Sequence, residues 1–150
     1  LHTNDAVGVI PRLVDIGIRP FLLSGALVCC LAQRLCRILC KDCKTEKVAD
    51  ETDCKILGID PNDNIKIYQH VGCEECMNTG YKGRTAVAEL FVVSRSIDEM
   101  IALNSTTNAM LQQAMKEGFQ PMAIDGIRKV MEGVTDIDEL IRSVDMTERL

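Results

Sequence analysis

Tryptophan is absent from this chain, and two tyrosines and three phenylalanines bring the aromatic share to only 3%. That scarcity excludes a core stiffened by stacked rings and disfavours an aromatic platform for nucleic-acid bases. Apolar residues still make up 47% of the sequence, so the interior must be built from Leu, Ile, Val, Met and Ala. Seven methionines suit adaptable helix packing. Basic charge is also scarce, with a net charge of −5 and a pI near 5.0. The only local basic set is Arg34, Arg37, Lys41 and Lys44, so the basic face of a nucleic-acid binder is missing. The longest apolar run, Phe21 to Ala32, falls short of the roughly 20 residues a transmembrane helix needs. Leu1-His2-Thr3-Asn4-Asp5 is polar and holds no secretory signal, and no initiator Met precedes it. The expectation is a piece of a longer cytosolic protein. Its 150 residues have room for one domain, or for a small domain beside part of another.

What is present is helix signal with a few strands. Asn4 and Asp5 can cap a helix whose apolar face is Ile10, Leu13, Val14 and Ile16, with Gly17 closing it. Pro11 must start or kink that helix. Phe21 to Leu31 predicts a second, buried helix, and Gln33 to Leu39 a strand. Lys44 to Asp63 is polar, with Gly58 and Pro61 as breakers. Ile65 to Tyr68 and Thr85 to Val93 carry strand patterns. Ser96-Ile97-Asp98-Glu99 reads as a capping box. Met110, Leu111, Ala114 and Met115 line the following helix, which ends at Gly118, and Met122 to Met131 predicts another, ending at Gly133. A second capping box at Thr135-Asp136-Ile137-Asp138 opens a last helix with Leu140, Ile141 and Val144 inward.

The chemistry sits in the cysteines. Of eight, four form two Cys-x-x-Cys pairs, Cys40-Lys41-Asp42-Cys43 and Cys73-Glu74-Glu75-Cys76. Two such knuckles complete a tetrahedral Cys₄ zinc site, closed to water and therefore structural. A reducing compartment explains this pattern better than a secreted disulfide scaffold. The 29 residues between the pairs exceed the usual spacing of about 15–20, so an excursion must separate the knuckles. Gly72 and Asn78-Thr79-Gly80 supply the necessary bends. His70 is expected outside the shell. Cys29, Cys30 and Cys36 are expected in the core, and Cys54 has no partner at ligand spacing.

In combination the motifs resemble the ATPases that power type II secretion and type IV pilus assembly. The resemblance runs through Leu1-His2-Thr3-Asn4-Asp5-Ala6, which looks like the family's His box, then Arg12 to Gly17, Pro20 to Ser24 and Leu31 to Leu35. It continues through the cysteine pairs and Thr79-Gly80-Tyr81-Lys82-Gly83-Arg84-Thr85, and ends with Asp125-Gly126, Lys129-Val130 and Gly133-Val134-Thr135. The Leu13 to Gly17 and Phe21 to Ser24 wording is closer to the secretion branch. Pro11, Ala86-Val87-Ala88 and the lack of a Pro after Cys40 depart from the pattern.

That resemblance implies an α/β fold, mostly helical in this portion. Residues 1–39 would be the end of a RecA-like P-loop ATPase domain, 40–80 a Cys₄ zinc-binding insert, and 81–150 a return strand and a helical subdomain. The Gly-Lys-Ser/Thr phosphate loop and the Walker B acid are not in this sequence, so hydrolysis cannot be assigned to it alone. By resemblance His2 faces the nucleotide γ-phosphate, Arg84 reaches nucleotide charge, and Arg34 is a candidate cofactor contact. Cys40, Cys43, Cys73 and Cys76 would hold Zn²⁺, with ATP and Mg²⁺ bound by the full-length protein. The implied whole is a cytoplasmic homo-hexamer at the inner face of the bacterial inner membrane. It would be docked on the assembly platform, with neither nucleic-acid partner nor transmembrane segment. The competing readings are a stand-alone zinc-ribbon interaction module and a thiol redox enzyme.

Overall fold

The structure, a computed structural model, describes residues 3–146; His2 lies outside them. Among the described residues the fold is mixed α/β, with seven α-helices and four strands. The chain forms two compact units, one of residues up to Gln33 with Ala88–Met122, the other of Arg34–Val87 with the chain from Ala123 onward. Strand β1 (Cys29–Leu39) pairs with β4 (Tyr81–Val92), and β2 (Thr45–Val48) with β3 (Lys66–Gln69). Cys40 N–H donates to Gly80 O and Val93 N–H to Val28 O, each at 2.9 Å, so β1 and β4 run antiparallel. Among the described residues no helix is long and apolar enough to cross a membrane.

In the first unit, α1 (Val9–Asp15) accommodates Pro11 at its third position, within the first turn, where an N–H has no helical acceptor. The predicted helix over Phe21 to Leu31 does not form. Only the four-residue α2 (Pro20–Leu23) does, leaving Phe21 78% exposed. Ser24 turns extended and Gly25 takes φ +76°. The Asp98 carboxylate accepts from the Ser24 hydroxyl (2.9 Å) and the Gly25 N–H (2.7 Å) and holds that turn. Only the end of the run, Cys29 to Leu31, becomes strand, and Cys29, expected inside, is exposed.

Three caps shift, the first at α1, which starts after Gly8 with no side-chain cap rather than at Asn4 or Asp5. Helix α4 (Arg95–Ala102) is capped by Ser94, whose hydroxyl accepts from Ile97 N–H. The cap is Ser94 rather than Ser96 because the extended backbone leaving β4 ends there. Helix α5 (Thr107–Lys116) buries Met110 and Ala114 but leaves Met115 exposed. The core joins Ile10, Leu23, Cys30, Phe91, Ile97 and Ile101, with one edge-on aromatic pair, Phe91 and Phe119.

In the second unit, the polar stretch after Lys44 holds β2 and a helix, α3 (Glu51–Leu57). Asp50 and Asp53 cap α3 reciprocally, and Gly58 closes it in the left-handed conformation. Helix α6 (Met122–Met131) packs on α7 (Ile137–Ser143). A Cβ on Gly126 would overlap a methyl of Leu140, which is fully buried and has nowhere to move. The cap of α7 is Asp136, which accepts from Glu139 N–H. Thr135, expected there, spends its hydroxyl on Arg37 O at 2.8 Å.

Glu139 is fully buried and receives Arg37 Nε and Arg142 Nε at 2.8 Å each, with Arg37 N–H also at 2.8 Å. Burial pushes its carboxyl up, but the donors of Arg142 and Arg37 outweigh burial and hold it at about 2, against an ordinary 4.5. Removing Glu139 leaves the Arg37 N–H unmatched and a cavity behind, while the exposed guanidinium groups of Arg37 and Arg142 return to water, so Glu139→Ala should lower the unfolding free energy by about 2 kcal/mol at neutral pH. With a depressed folded value, this contribution is complete above the ordinary carboxylate value and disappears as pH falls through the folded one. The gap between wild type and variant should therefore shrink below about pH 4, as measured by urea unfolding across pH. Gly126→Ala should cost about 1–2 kcal/mol, because overpacking exceeds the gain in helix propensity. Thermal unfolding of the variant checks this.

Candidate metal centre

Cys40 follows β1 directly. Its N–H is tied to Gly80 O, and its own carbonyl accepts from Lys44 N–H at 3.0 Å, which closes the first knuckle. The second knuckle is a single 3₁₀ turn, Glu74–Cys76, followed by Met77 and Asn78 with φ of 52° and 58°. Two glycines make it possible. Gly72 has φ +130° and passes so close to Asn78 O that a Cβ would sit 2.8 Å from it. Gly80 has φ +77° and abuts His70.

The two knuckles converge. Cys40 and Cys73 sulfurs lie 3.9 Å apart, Cys43 and Cys76 3.8 Å, and Cys73 and Cys76 3.7 Å. All four Sγ atoms lie within 4.8 Å of one another. A tetrahedron of sulfurs about 2.3 Å from one ion has edges of about 3.8 Å, so the spacing fits a single Cys₄-bound metal. All eight cysteines are free thiols. Backbone N–H groups point at the sulfurs: Gly72 at Cys43 (3.3 Å), and Cys73 and Gly80 at Cys76 (3.2 Å each). Burial raises the Cys76 thiol, but those two N–H donors prevail and hold it down at about 6. Burial pushes Cys43 up to about 12. Four thiolates so close cannot all ionise without a cation, and a soft divalent ion bound there would supply the missing charge.

Asp136 ties both ends of the second knuckle's loop. Its carboxylate accepts from His70 N–H (3.1 Å), stands 2.7 Å from His70 Nδ1 and receives the Tyr81 hydroxyl at 2.9 Å. The His70 and Tyr81 rings stack 5.1 Å apart. Burial and then Asp136 push the Tyr81 hydroxyl upward. His70 thus stands beside the cysteine cluster, engaged with a carboxylate. Cys54 is buried in α3, its Sγ 3.7 Å from Ala49 O.

Arg84 is exposed on β4 and lines an open hollow of about 460 Å³ with Leu35, Arg37 and Arg142. Arg37 lies over the Tyr81 ring at 4.0 Å. Arg34 is exposed on β1 and is not among the residues lining the hollow. Sequence reasoning missed Asp136, Glu139 and Glu89. Only Glu89 left a signal, as a charge at an inward position of an alternating strand. Asp136 and Glu139 were hidden as ordinary first-turn acids of a helix.

The family model described as "Type II/IV secretion system protein" matches residues 1–142. Type II secretion system protein E of Pseudomonas aeruginosa is 45% identical over 142 residues, 95% of this chain and 28% of that protein. Type IV pilus assembly ATPase TfpB of Acinetobacter baylyi is 39% identical over 149 residues, 98% of this chain and 26% of that protein. Type IV pilus assembly ATPase PilB of Thermus thermophilus is 37% identical over 143 residues, 94% of this chain and 16% of that protein. The chain therefore spans little more than a quarter, at most, of these relatives. With the match running through both units and across the cysteine knuckles, the chain belongs to the type II/IV secretion system protein family.

Proposed function

We propose that this chain is the metal-bearing C-terminal part of an ATPase that powers type II secretion or type IV pilus assembly. The observation that carries the reading is the family match over 142 of 150 residues together with the converged cysteine tetrad. Relatives named for both branches match at comparable identity, so the reading covers both. The stand-alone zinc-ribbon alternative gains no support, because the similarity reaches well outside residues 40–80.

Cys40, Cys43, Cys73 and Cys76 hold one zinc ion in this reading. When bound, zinc supplies cross-linking and charge neutralisation, and a full Cys₄ shell leaves no position for an activated water. Residues 1–39 belong to the end of a RecA-like domain. Cys29 and Leu31 on β1, and Leu90 and Val92 on β4, are exposed, while Cys30 and Phe91 between them are buried. Strands apolar on both sides suit a larger sheet covered on both faces. Arg84 makes no ion pair among the described residues and offers its guanidinium to nucleotide phosphate, where a planar fork binds bidentately. His2 and Arg34 contribute further nucleotide contacts. ATP and Mg²⁺ bind mainly to segments other than this one. The full-length protein is a cytoplasmic homo-hexamer, peripheral at the inner face of the inner membrane, docked on the platform proteins of the machine.

Metal analysis of the purified chain should find one zinc per molecule, lost on Cys73→Ser. Asp136→Asn should weaken zinc binding about tenfold or more, measured by competition with a chromogenic chelator. Two bound metals, or none in wild type, would contradict the site. In the full-length protein, Arg84→Ala should lower kcat for ATP by at least about 100-fold, and lysine should not restore it. His2→Ala should also depress turnover. Unchanged hydrolysis in Arg84→Ala would remove that residue from the nucleotide site.

A further inference from the structure

The connection from α6 to α7 bonds to the chain beside both cysteine knuckles, yet supplies none of the four sulfurs. It leaves α6 through Gly133, buried and left-handed at φ +67°. Gly133 N–H donates to Val130 O and Val134 N–H to Lys129 O, each at 2.9 Å, which closes the helix. The connection ends at Asp136, the cap of α7. Between these two fixed ends, each residue holds a different part of the frame around the cysteines. Gly133 O accepts the Lys44 ammonium at 2.7 Å. Val134 O accepts the N–H of Leu39, the residue before Cys40, at 2.9 Å. The Thr135 hydroxyl donates to Arg37 O at 2.8 Å. The Asp136 carboxylate takes the His70 N–H and the Tyr81 hydroxyl, on either side of the second pair.

Lys44 is the contact to the first knuckle. Its N–H closes that turn on Cys40 O, and its ammonium lies 4.3 Å from the centre of the Tyr68 ring on β3 as well as on Gly133 O. Gly133 packs against the same ring. A Cβ there would come within 2.6 Å of a Tyr68 carbon and 3.3 Å of Lys44 Nζ. Knuckle, ribbon and connection therefore meet at one point, joined by a charged donor and a cation over a ring. The two cysteine pairs share no disulfide, so contacts around them must set their register. Two knuckles bind one ion only while their sulfurs face each other at the spacing of its shell. Time spent out of register lowers the apparent affinity in proportion.

We propose that the Gly133–Asp136 connection is the positioning element of the metal centre, gripping the first knuckle through Lys44 and the second through Asp136. It holds the knuckles at ion-binding spacing before the ion arrives, so zinc affinity depends on residues that touch no metal. This rests on the reading of the four cysteines as one zinc site. By linkage, any movement of α6 or α7 that shifts the connection also changes zinc affinity.

The test is metal affinity of the full-length protein with Lys44→Met, Lys44→Arg or Gly133→Ala. Zinc is measured by competition with a chromogenic chelator, and Co²⁺ serves as a spectroscopic probe of the shell. Methionine keeps the apolar stem of Lys44 and removes its charge and donors, whereas arginine keeps both. Lys44→Met and Gly133→Ala should each weaken zinc binding about tenfold, and Lys44→Arg by less than about threefold. At saturation the Co²⁺–thiolate absorption should match wild type in all three, because the ligands are untouched and only the readiness of the knuckles changes. A role in stability alone would lower the melting temperature and leave the affinity as it was. Wild-type affinity in Lys44→Met, or an arginine variant no better than the methionine one, would overturn the proposal. So would an altered Co²⁺ spectrum, which would mean that the shell itself is damaged. No Co²⁺–thiolate absorption in wild type would instead overturn the zinc reading, and the proposal with it. If Gly133→Ala does not fold, the two Lys44 variants decide the matter.

Discussion

Two knuckles separated by 29 residues must bring their sulfurs to within the span of one ion, and the second unit is arranged around that requirement. The excursion between them returns because β2 and β3 pair antiparallel with Thr45 opposite Gln69. The residues just beyond Cys43 and just before Cys73 are thereby placed side by side, whatever the length of chain between. Helix α3 seals the ribbon: Ala49, Cys54, Ile56, Leu57 and Ile67 are buried, and Lys47 pairs with Asp53 at 2.7 Å. The knuckles stand at the base of a closed ribbon, so loop entropy does not oppose their meeting in the folded state.

The same unit buries two carboxylates from the N-terminus of a single helix, and both are fully matched. Asp136 caps α7 while taking the Tyr81 hydroxyl and the His70 backbone. Glu139, one turn later, takes two guanidinium groups and a backbone N–H. An acid near a helix N-terminus is favoured by the helix field, which lowers the cost of hiding it. Arg37 joins the two networks, pairing with Glu139 while lying over the Tyr81 ring. The loop that carries Cys73 and Cys76 is thus bolted to α7 by polar contacts rather than by aromatic packing, in keeping with a chain that holds only five aromatic residues.

In the first unit a buried carboxylate meets a different match. Glu89 faces peptide N–H groups instead of cations, which makes it a geometric tie between segments distant in sequence. Its counterpart on the surface is Asp98, which holds the Ser24-Gly25 turn and so ends α2 after four residues. The apolar run that follows is strand because of that turn and of pairing with β4, neither of which periodicity can register.

Spacing alone was enough to read the four cysteines as one cluster, since Cys-x-x-Cys is a local geometry that any knuckle must satisfy. The strands over Gln33–Leu39 and Thr85–Val93 and helix α6 were also legible, because their patterns are local and uncontested. Helix α3 was legible in principle from Asp50 and Gly58 but was masked by surrounding polarity. Choosing Ser94 over Ser96 and Asp136 over Thr135 depended on where the preceding backbone ends and on what else each hydroxyl could reach. Sequence by itself determined the family, the clustering of the four cysteines and most helices, through local bonds and spacing. Tertiary structure alone decided the fate of Phe21 to Leu31, the partners of Glu89, Asp136 and Glu139, and the hollow beside Arg84. Those are long-range contacts, and their energies depend on burial that no local pattern records.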